Sequence, residues 1–596
     1  MSVSEERINE VGKKAQENAN LIWNAANSLF GAFKPHEYGL VILPMCVIKR
    51  FHDCLLPTHQ AVLDANEKFA SAGPLKAGFL RKASGYQFYN TSKFTFESLK
   101  ADPENIEDNF DDFLHGFSEN VLDILTRMNF FAAVDRMKEA GLLYQIVVDF
   151  STEKLNMSEK HFSAVDMGYI FENLVQRFSE SYNEDAGAHF TSRDIIYLMC
   201  DMLVSKSDAL KDEDGLHCTV YDMTMGTSQM LTCMEERLKQ IDASADVTTF
   251  GQEINPFTMG IAAADTLIHG GDPNNMKFGD TLSDDQFSGY KFDFCISNPP
   301  FGIDWKREAV SVEKEHKKGE EGRFAPGLPG KGDGQLLFLL NGLSKLKDNG
   351  RMAIIQNGSS LFTGDAESGP SNIRKYIIEN GWLDAIVQLP KDSFYNTGIL
   401  TYVWIIDKGK PFKTPGKIQL IDASSCCVSR RKSIGNKKVD ISDECREFIV
   451  QAYEEYKTDE YTKKLEDGTV IKCKSEVVDD ISLGYSKVTV ESPLVDADGN
   501  TVKKRGKNVP DPEKRDYEYI PLNEDIKTYF EKEVLPYNPN AWIDTAKTKV
   551  GYEIPMTRIF YEYTRLDETD NILENISVLE NSIKASLQSL FHKEEM

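Results

Sequence analysis

Residues 292–302 read Phe292-Asp293-Phe294-Cys295-Ile296-Ser297-Asn298-Pro299-Pro300-Phe301-Gly302. The apolar first half predicts a short buried strand. That strand must end at the two prolines, because proline lacks the N–H that a sheet needs and fixes φ at about −65°. The rigid tip then holds one amide side chain, free carbonyl groups and one aromatic ring. Asn298 and a backbone carbonyl could accept the hydrogens of an amino group on a flat heterocycle, with Phe301 stacked on its face. An ordinary turn after a strand explains the same residues equally well.

Similar short strands are predicted on both sides of this one, with helical patterns between them. They cover residues 218–222, 247–253, 276–279, 351–355, 383–389 and 402–406. The helix predicted at residues 256–267 has Asn255 as its N-cap and a proline in its first turn. This alternation is typical of an α/β fold, with a mostly parallel, doubly wound sheet covered by helices on both faces.

We predict three domains. Residues 1–165 repeat apolar positions at helical spacing and predict an N-terminal helical domain. Residues 166–430 form the α/β domain, and residues 431–596 form a C-terminal region with a helical extension. That extension carries an apolar seam at helical spacing: Ile572, Ile576, Leu579, Ile583, Leu587 and Leu590. The seam could pair with a helix of a partner or dock on this chain's own body.

The composition limits the possible partners. The 596-residue chain has 94 acidic and 68 basic side chains, a formal net charge of −26. Any contact with nucleic acid must therefore be local or shared with a more basic partner. A dense basic cluster, residues 429–432 with Lys437 and Lys438, suits a phosphate contact, although a solvated loop explains it equally well. With no apolar N-terminal segment and no run of bilayer length, we expect a cytoplasmic protein without membrane contact.

Two further patterns set expectations. The ten cysteines are scattered without Cys-x-x-Cys pairs or Cys/His clusters, so neither a metal site nor a disulfide framework is predicted. Residues 306–335 are rich in lysine, glutamate, glycine and proline. A loop of this length is either functional or disordered, and we expect a lid that orders on substrate, with plain disorder as the alternative.

Polar residues follow four predicted strands in turn: Asp222, Glu253, Asp280 and Asn298. Ligands of doubly wound sheets bind beyond the carboxyl ends of the strands. Gly226, at the start of the helix after Asp222, permits close backbone approach to an anionic group. Glu253 could bind the hydroxyls of a ribose, and Asp280 could meet an adenine amino group. Each acidic residue alone could be a helix cap, but the ordered series is more specific.

The series resembles the AdoMet-dependent DNA methyltransferases that methylate amino groups. Among them it is most similar to the modification subunit of type I restriction-modification systems. The residues that carry the resemblance are Asn298-Pro299-Pro300-Phe301, the segments 251–256, 267–270 and 279–282, and His189-Phe190-Thr191-Ser192. Regions around residues 22–51 and 534–555 are also similar, so the likeness covers nearly the whole chain in the family's order.

The resemblance implies transfer of a methyl group from S-adenosyl-L-methionine (AdoMet) to adenine N6 in duplex DNA, with the adenine flipped out of the helix. The residues implied in catalysis are Asn298, Pro299, Pro300 and Phe301. Those implied in cofactor binding are Phe190, Thr191, Asp222, Gly226, Thr227, Glu253 and Asp280. The implied partners are duplex DNA, a separate specificity subunit, a second copy of the chain and a restriction subunit.

Two alternatives stay open. One is a methyltransferase for a protein glutamine or an RNA guanine amino group, and the other is a non-catalytic scaffold that binds AdoMet. The chain also departs from the family pattern, with Met223 in place of proline, Ser228 in place of the last glycine of that motif, and Ser192 in place of proline. Ser228 adds a Cβ where backbone should approach the cofactor, which predicts lower AdoMet affinity or a reshaped loop.

Overall fold

The computed structural model describes residues 17, 19–34, 37–152, 154–162, 167, 170, 174, 191–207, 216–395, 397–410, 414–496, 500–561 and 569–591. Two compact units are present, Met1–Ile554 and Pro555–Met596. Within the described residues, no helix is both long enough and apolar enough to cross a bilayer.

The N-terminal part of the first unit is helical, as predicted. After helical residues 19–26, its helices are α1 (Gly39–Leu55), α2 (His59–Lys68), α3 (Lys76–Ser84), α4 (Phe96–Lys100), α5 (Ile106–His115), α6 (Glu119–Arg127), α7 (Phe130–Glu139) and α8 (Leu143–Phe150). Most of their buried apolar side chains belong to one hydrophobic cluster that also includes residues of the α/β part. Those of α2 and α3 form a small separate cluster of Val62, Ala65 and Leu80. The predicted boundaries at residues 165 and 430 stay predictions.

The remaining helices are α9 (Arg193–Ser205), α10 (Gln229–Ile241), α11 (Pro256–Ile268), α12 (Ala309–His316), α13 (Gln335–Ser344), α14 (Ser359–Phe362), α15 (Gly369–Glu379), α16 (Asp443–Glu455), α17 (Ile526–Tyr529), α18 (Met556–Ile559) and α19 (Thr569–Phe591). The predicted cap of α11 is confirmed, since the Asn255 side chain accepts hydrogen bonds from the backbone N–H groups of Phe257 and Thr258. Helices α1 and α6 of the N-terminal part contact α11.

The strands are β1 (His217–Asp222), β2 (Asp246–Glu253), β3 (Met276–Phe278), β4 (Phe292–Ser297), β5 (Leu346–Asn357), β6 (Leu383–Gln388), β7 (Thr401–Asp407), β8 (Lys417–Asp422), β9 (Val428–Ile434), β10 (Lys437–Asp440), β11 (Asp459–Lys464), β12 (Val470–Asp479), β13 (Gly484–Glu491), β14 (Lys503–Lys504), β15 (Lys507–Asn508), β16 (Asp516–Pro521) and β17 (Trp542–Tyr552). Strands β1 to β7 correspond to the seven that the sequence predicts.

Ten of these strands form one sheet in the order β11-β12-β8-β6-β7-β5-β4-β1-β2-β3. Strands β3, β2, β1, β4 and β5 run parallel to one another. Strand β7 lies between β5 and β6 and is antiparallel to both. The short connection from β6 to β7 contains no described helix and therefore cannot make a parallel crossover. The Rossmann-like α/β class is confirmed, and two antiparallel strands beyond residue 430, β11 and β12, extend the same sheet.

The segment after Asn298, which the sequence predicts to be a lid or to be disordered, is ordered in the structure, and its role as a lid stays a prediction. It contains α12, and Trp305 is almost fully buried. The Arg323 guanidinium donates hydrogen bonds to the carbonyls of Thr281 and Leu282 at 2.6 and 3.1 Å, and to the Glu315 carboxylate. A single arginine thus fixes this segment to the loop after β3. Its polar residues alternate with buried ones such as Val312 and Phe324, so the polar composition does not make the segment a loop.

Beyond the large sheet, β16, β13 and β17 form a three-stranded antiparallel sheet, and β9 pairs with β10 in a separate ribbon. In the second unit, the predicted C-terminal helix is present as α19. Its described apolar side chains are exposed: Ile572, Leu573, Ile576, Val578, Leu579 and Ile583. The side chains of Leu587 and Leu590, which complete the predicted seam, lie outside the described residues.

Candidate active site

The parallel strands bring the four predicted polar residues to one edge of the sheet. Asp222 and Glu253 are the last residues of β1 and β2, and Asn298 directly follows β4. Asp280 lies two residues beyond β3. Because β1, β2, β3 and β4 are parallel neighbours, their carboxyl ends share the same edge.

Asp222 ties the ends of β1 and β4 together. Its Oδ1 accepts hydrogen bonds from the Ser297 hydroxyl at 2.6 Å and from the backbone N–H of Thr224 at 3.0 Å. The hydroxyls of Thr224 and Ser297 are themselves 2.8 Å apart. Burial raises the pKa of Asp222 to about 7, although these two hydrogen bonds oppose the shift. The carboxyl group of Asp222 therefore stabilises the loop after β1 and links it to the end of β4.

Glu253 fixes the loop after β1 in a second way. One carboxylate oxygen accepts the backbone N–H of Gly226 at 2.9 Å, and the other accepts that of Asn255 at 2.8 Å. Gly226 has φ +54°, a left-handed conformation that favours glycine. The side chain that the sequence predicts to bind a ribose thus also fixes the shape of the loop beside the cavity.

Of the two polar atoms of the Asn298 amide, only the nitrogen has a hydrogen-bond partner among the described residues. Its Nδ2 donates to the Thr191 hydroxyl at 2.8 Å. Its Oδ1 is buried and has no hydrogen-bond partner among the residues that the structure describes. A buried acceptor without a partner costs free energy, so this oxygen is set up to receive a donor from a ligand.

The aromatic ring of the tip is also supported. Phe301 is partly buried and meets Phe394 edge to face, with ring centroids 6.2 Å apart. Phe394 itself is almost fully buried and lies on the connection between β6 and β7. Two flanking segments therefore hold the tip: the one before α9, through Thr191, and the β6–β7 connection, through Phe394.

A cavity of about 160 Å³ lies at this edge of the sheet. Five carboxylates line it: Asp222, Glu253, Asp280, Asp304 and Glu308. Its described lining contains no lysine, arginine or histidine. Burial, with the nearby charge of Asp280, raises the pKa of Glu308. Apolar side chains, including Ile196, Met230 and Phe338, complete the wall. The cavity suits a ligand that carries both a cationic group and an apolar or aromatic part.

Most predicted site residues meet at this cavity. Its lining includes Thr191, Asp222, Gly226, Thr227, Glu253, Asp280, Asn298 and Pro300. Pro299 and Phe301 belong to the same tip but are not among the lining residues. Phe190 lies outside the described residues. The sequence did not indicate Asp304 and Glu308, because they sit in a segment whose composition resembles a loop.

Ser228, the departure from the glycine pattern, is buried and adopts φ +70°. It precedes α10 and keeps the left-handed conformation that a glycine would take there without strain. The serine thus preserves the left-handed turn at a cost in backbone energy.

Replacing Ser228 with glycine is expected to raise the free energy of unfolding by about 0.5–1 kcal/mol, because relief of the left-handed strain exceeds the added flexibility of the unfolded chain. Urea denaturation measures the change. Ser368→Gly is the control, since Ser368 precedes α15 at φ −73° without a side-chain cap. The control should be neutral or destabilising, and an equal gain in both variants would contradict strain at Ser228.

The raised pKa of Asp222 predicts a pH dependence of stability. The folded chain holds this proton more tightly than the unfolded chain. The contribution of Asp222 to the free energy of unfolding is therefore fully present below pH about 4 and is lost as pH rises through about 7. The stability of the native chain relative to Asp222→Asn should therefore fall by about 2–4 kcal/mol between pH 4 and pH 8. Denaturation series at several pH values test this, and a constant difference would contradict it.

Comparison with known proteins agrees with this geometry. A family model described as "N-6 DNA Methylase" matches residues 163–483, and one described as "HsdM N-terminal domain" matches residues 18–150. A type I restriction enzyme methylase subunit (MjaIX) of Methanocaldococcus jannaschii is 27% identical over 191 residues, 32% of this chain and 33% of that protein. The HindI methylase subunit of Haemophilus influenzae is 31% identical over 180 residues, 30% of this chain and 38% of that protein.

These alignments span little more than a third of the curated relatives' own length. Among solved structures, the type I restriction-modification methyltransferase subunit from Streptococcus thermophilus superposes with a TM-score of 0.60 at 21% identity. The superposition covers 79% of this chain and 97% of that one. At this identity the likeness establishes the fold alone.

Proposed function

Because the chain belongs to the N-6 DNA methylase family, whose model covers more than half of it, we propose that it transfers a methyl group from AdoMet to adenine N6 in duplex DNA. In this proposal it is the modification subunit of a type I restriction-modification complex. The observation that carries the proposal is the buried Oδ1 of Asn298, which lies beside an acidic cavity and has no hydrogen-bond partner in the part of the chain that the structure describes.

The cavity residues fit AdoMet. The ligand carries positive charge on its sulfonium and amino groups, and the described lining supplies five carboxylates without a basic side chain. Glu253 and Asp280 would take the ribose and adenine ends, while Asp222 and Glu253 hold Gly226 and its neighbours in place. When bound, AdoMet supplies an electrophilic methyl group on sulfur.

Asn298 would act on the nucleophile. The exocyclic amine of adenine is weakly nucleophilic because its lone pair is delocalised into the ring. Asn298 Oδ1 and the Pro299 carbonyl accept its two hydrogens and favour a lone pair aimed at the methyl carbon. Bound AdoMet would supply the methyl group, its sulfur would keep the electrons of the C–S bond, and the proton that the methylated amine loses would pass to water. This is catalysis by positioning and electrostatic orientation without a covalent enzyme intermediate.

Thr191 has a distinct positioning role. By accepting from Asn298 Nδ2 at 2.8 Å it fixes which amide atom faces the ligand, so that the oxygen, and not the NH₂ group, meets the amine. Phe301 would stack on the adenine once it is flipped out of the helix, because the target atom is inaccessible inside a duplex. Pro300 lines the cavity and keeps the tip rigid.

The partners follow from charge and from exposed apolar surface. A chain with net charge −26 needs a more basic partner for tight DNA binding. We assign that role to a separate specificity subunit, and we assign further contacts in the complex to a second copy of this chain and a restriction subunit. The exposed apolar face of α19 is the surface we assign to helix pairing.

The test uses the 596-residue chain, purified alone and with the proposed specificity subunit. Methyl-labelled AdoMet is offered with duplex DNA, RNA or protein extract. The proposal predicts label in DNA that depends on the specificity subunit. Label in RNA or protein instead would favour the alternative substrates, and AdoMet binding without any transfer would favour a scaffold role.

A further inference from the structure

The β9–β10 hairpin lies at the same edge of the sheet as Asn298. It follows β8, which runs parallel to β6, and the backbone N–H of Ala423 bonds to the carbonyl of Gln388 at the end of β6. The carboxyl ends of β6 and β8 therefore coincide, and the hairpin leaves the sheet on the side that carries the catalytic tip.

The hairpin turn rests on the β6–β7 connection. The backbone N–H of Asn436 donates to the carbonyl of Tyr395 at 2.8 Å, and that of Lys438 donates to the carbonyl of Asp392 at 2.9 Å. The turn residue Gly435 has φ +55°, and a Cβ there would lie 2.4 Å from the Tyr395 carbonyl oxygen. The close approach leaves no room for a side chain. The same connection carries Phe394, which packs against Phe301.

Lys437 joins the hairpin to the other flank of the tip. Its buried Nζ lies 2.9 Å from the Asp194 carboxylate and 3.2 Å from the Ser192 hydroxyl. It also donates to the Ser393 carbonyl at 3.1 Å. Thr191, the partner of Asn298, is next to Ser192 in the chain. One ammonium group thus fixes the hairpin against both segments that hold the tip.

The exposed charged side chains of the hairpin, Arg431, Lys432 and Lys438, are all basic. Arg430 pairs with Asp440, and Lys438 pairs with Asp392. Arg431 and Lys432 are exposed, and within the described part of the chain neither has an ion pair. In a strongly acidic chain, two exposed cations without an ion pair, on a hairpin anchored at the edge of the sheet that carries Asn298, create a local positive potential that attracts an anion.

We infer that Arg431 and Lys432 bind phosphates of the DNA strand beside the flipped base. The inference rests on the proposed function and deepens it by assigning a nucleic-acid contact to this chain itself. Such contacts position the duplex without reading its sequence, which suits a subunit that leaves recognition to a partner. The hairpin is anchored to both segments that hold the tip. A phosphate contact on the hairpin would therefore set the distance between the DNA backbone and the side-chain amide of Asn298.

The test compares two double variants with equal charge change. Arg431→Ala with Lys432→Ala removes the hairpin cations. Lys503→Ala with Lys504→Ala removes two exposed lysines from another two-stranded ribbon, β14–β15. Binding of duplex DNA is measured against salt concentration for the complex with its specificity subunit. The hairpin variant should reduce the magnitude of the slope of log K against log salt by about 1.8, as expected for two lost phosphate contacts, and the control by less than about 0.5.

A second measurement does not depend on the variants folding. Bound duplex should protect Lys432 of the native complex from an amine-reactive reagent by about fivefold or more, while Lys503 stays unprotected, because a phosphate contact buries the ammonium group. Equal slopes in both variants, or equal labelling of both lysines, would overturn the inference. Methyl transfer by the native complex is assayed in parallel. If the native complex methylates DNA but neither the salt slope nor the lysine labelling differs between hairpin and control, only this inference is rejected. If the native complex transfers no methyl group to DNA, the proposed function is rejected.

Discussion

Asn298→Ala should lower kcat for methyl transfer by about 10³-fold or more while changing the Kd for AdoMet by less than about threefold. The physical reason is that Asn298 Oδ1 is a buried acceptor without a hydrogen-bond partner among the described residues, and its loss would remove the group that we propose to orient the amine. The rest of the cavity lining consists of carboxyl, neutral polar and apolar groups that the substitution leaves in place. Single-turnover transfer and calorimetric titration with AdoMet measure the two quantities.

A graded variant tests the orientation argument. Thr191→Val keeps the side-chain volume but removes the acceptor for Asn298 Nδ2. The amide can then rotate, so kcat should fall by about tenfold, between the native chain and Asn298→Ala. Thermal unfolding of each variant shows that the fold is kept. Activity above about 10% in Asn298→Ala would contradict the role of the amide.

Lys437→Met should be the most destabilising single substitution that we consider, by about 3–5 kcal/mol, because it leaves the largely buried carboxylate of Asp194 without its cation. Burial alone would raise the pKa of Asp194, but the charge of Lys437 and the hydrogen bonds to this carboxylate outweigh it and hold the pKa below its usual range. The ion pair therefore contributes stability above the unfolded pKa that is lost as pH falls. Urea denaturation at pH 7 measures the loss.

The neighbouring lysine is a matched control. The side chain of Lys438 is 63% exposed in its ion pair with Asp392, whereas that of Lys437 is 1% exposed. Lys438→Met should cost less than about 1 kcal/mol, as surface ion pairs do. The double variant Asp194→Asn with Lys437→Met should recover part of the loss, because it removes the unpaired charge. Similar losses of stability in Lys437→Met and Lys438→Met would contradict a stabilising role for the buried ion pair between Lys437 and Asp194.

The strands and the strand-end residues could be predicted from local sequence. Short apolar runs that end at a turn residue determine β1 to β4, and the position of a polar residue directly after each run places it at the ligand edge. The cap at Asn255 follows from its own side chain. These features depend on residues close together in the chain, which is why sequence patterns capture them.

Features that depend on distant residues could not be predicted. The ordered segment with α12 is held by Arg323 through the carbonyls of Thr281 and Leu282, about 40 residues away in the chain. The contact between Lys437 and Asp194 joins residues 243 positions apart. By composition, residues 306–335 and the basic cluster at residues 429–438 both resemble solvated loops. The acidic wall formed by Asp304 and Glu308 was missed for the same reason.

We propose that Asn298 orients the N6 amine of adenine, and analysis of methylated nucleosides by mass spectrometry tests this role directly. Duplex DNA is incubated with AdoMet and the complex of this chain with its specificity subunit, then digested to nucleosides. The account predicts N6-methyladenine with the native chain and none above background with Asn298→Ala. Methyl groups on cytosine, or equal amounts of N6-methyladenine from both chains, would contradict it.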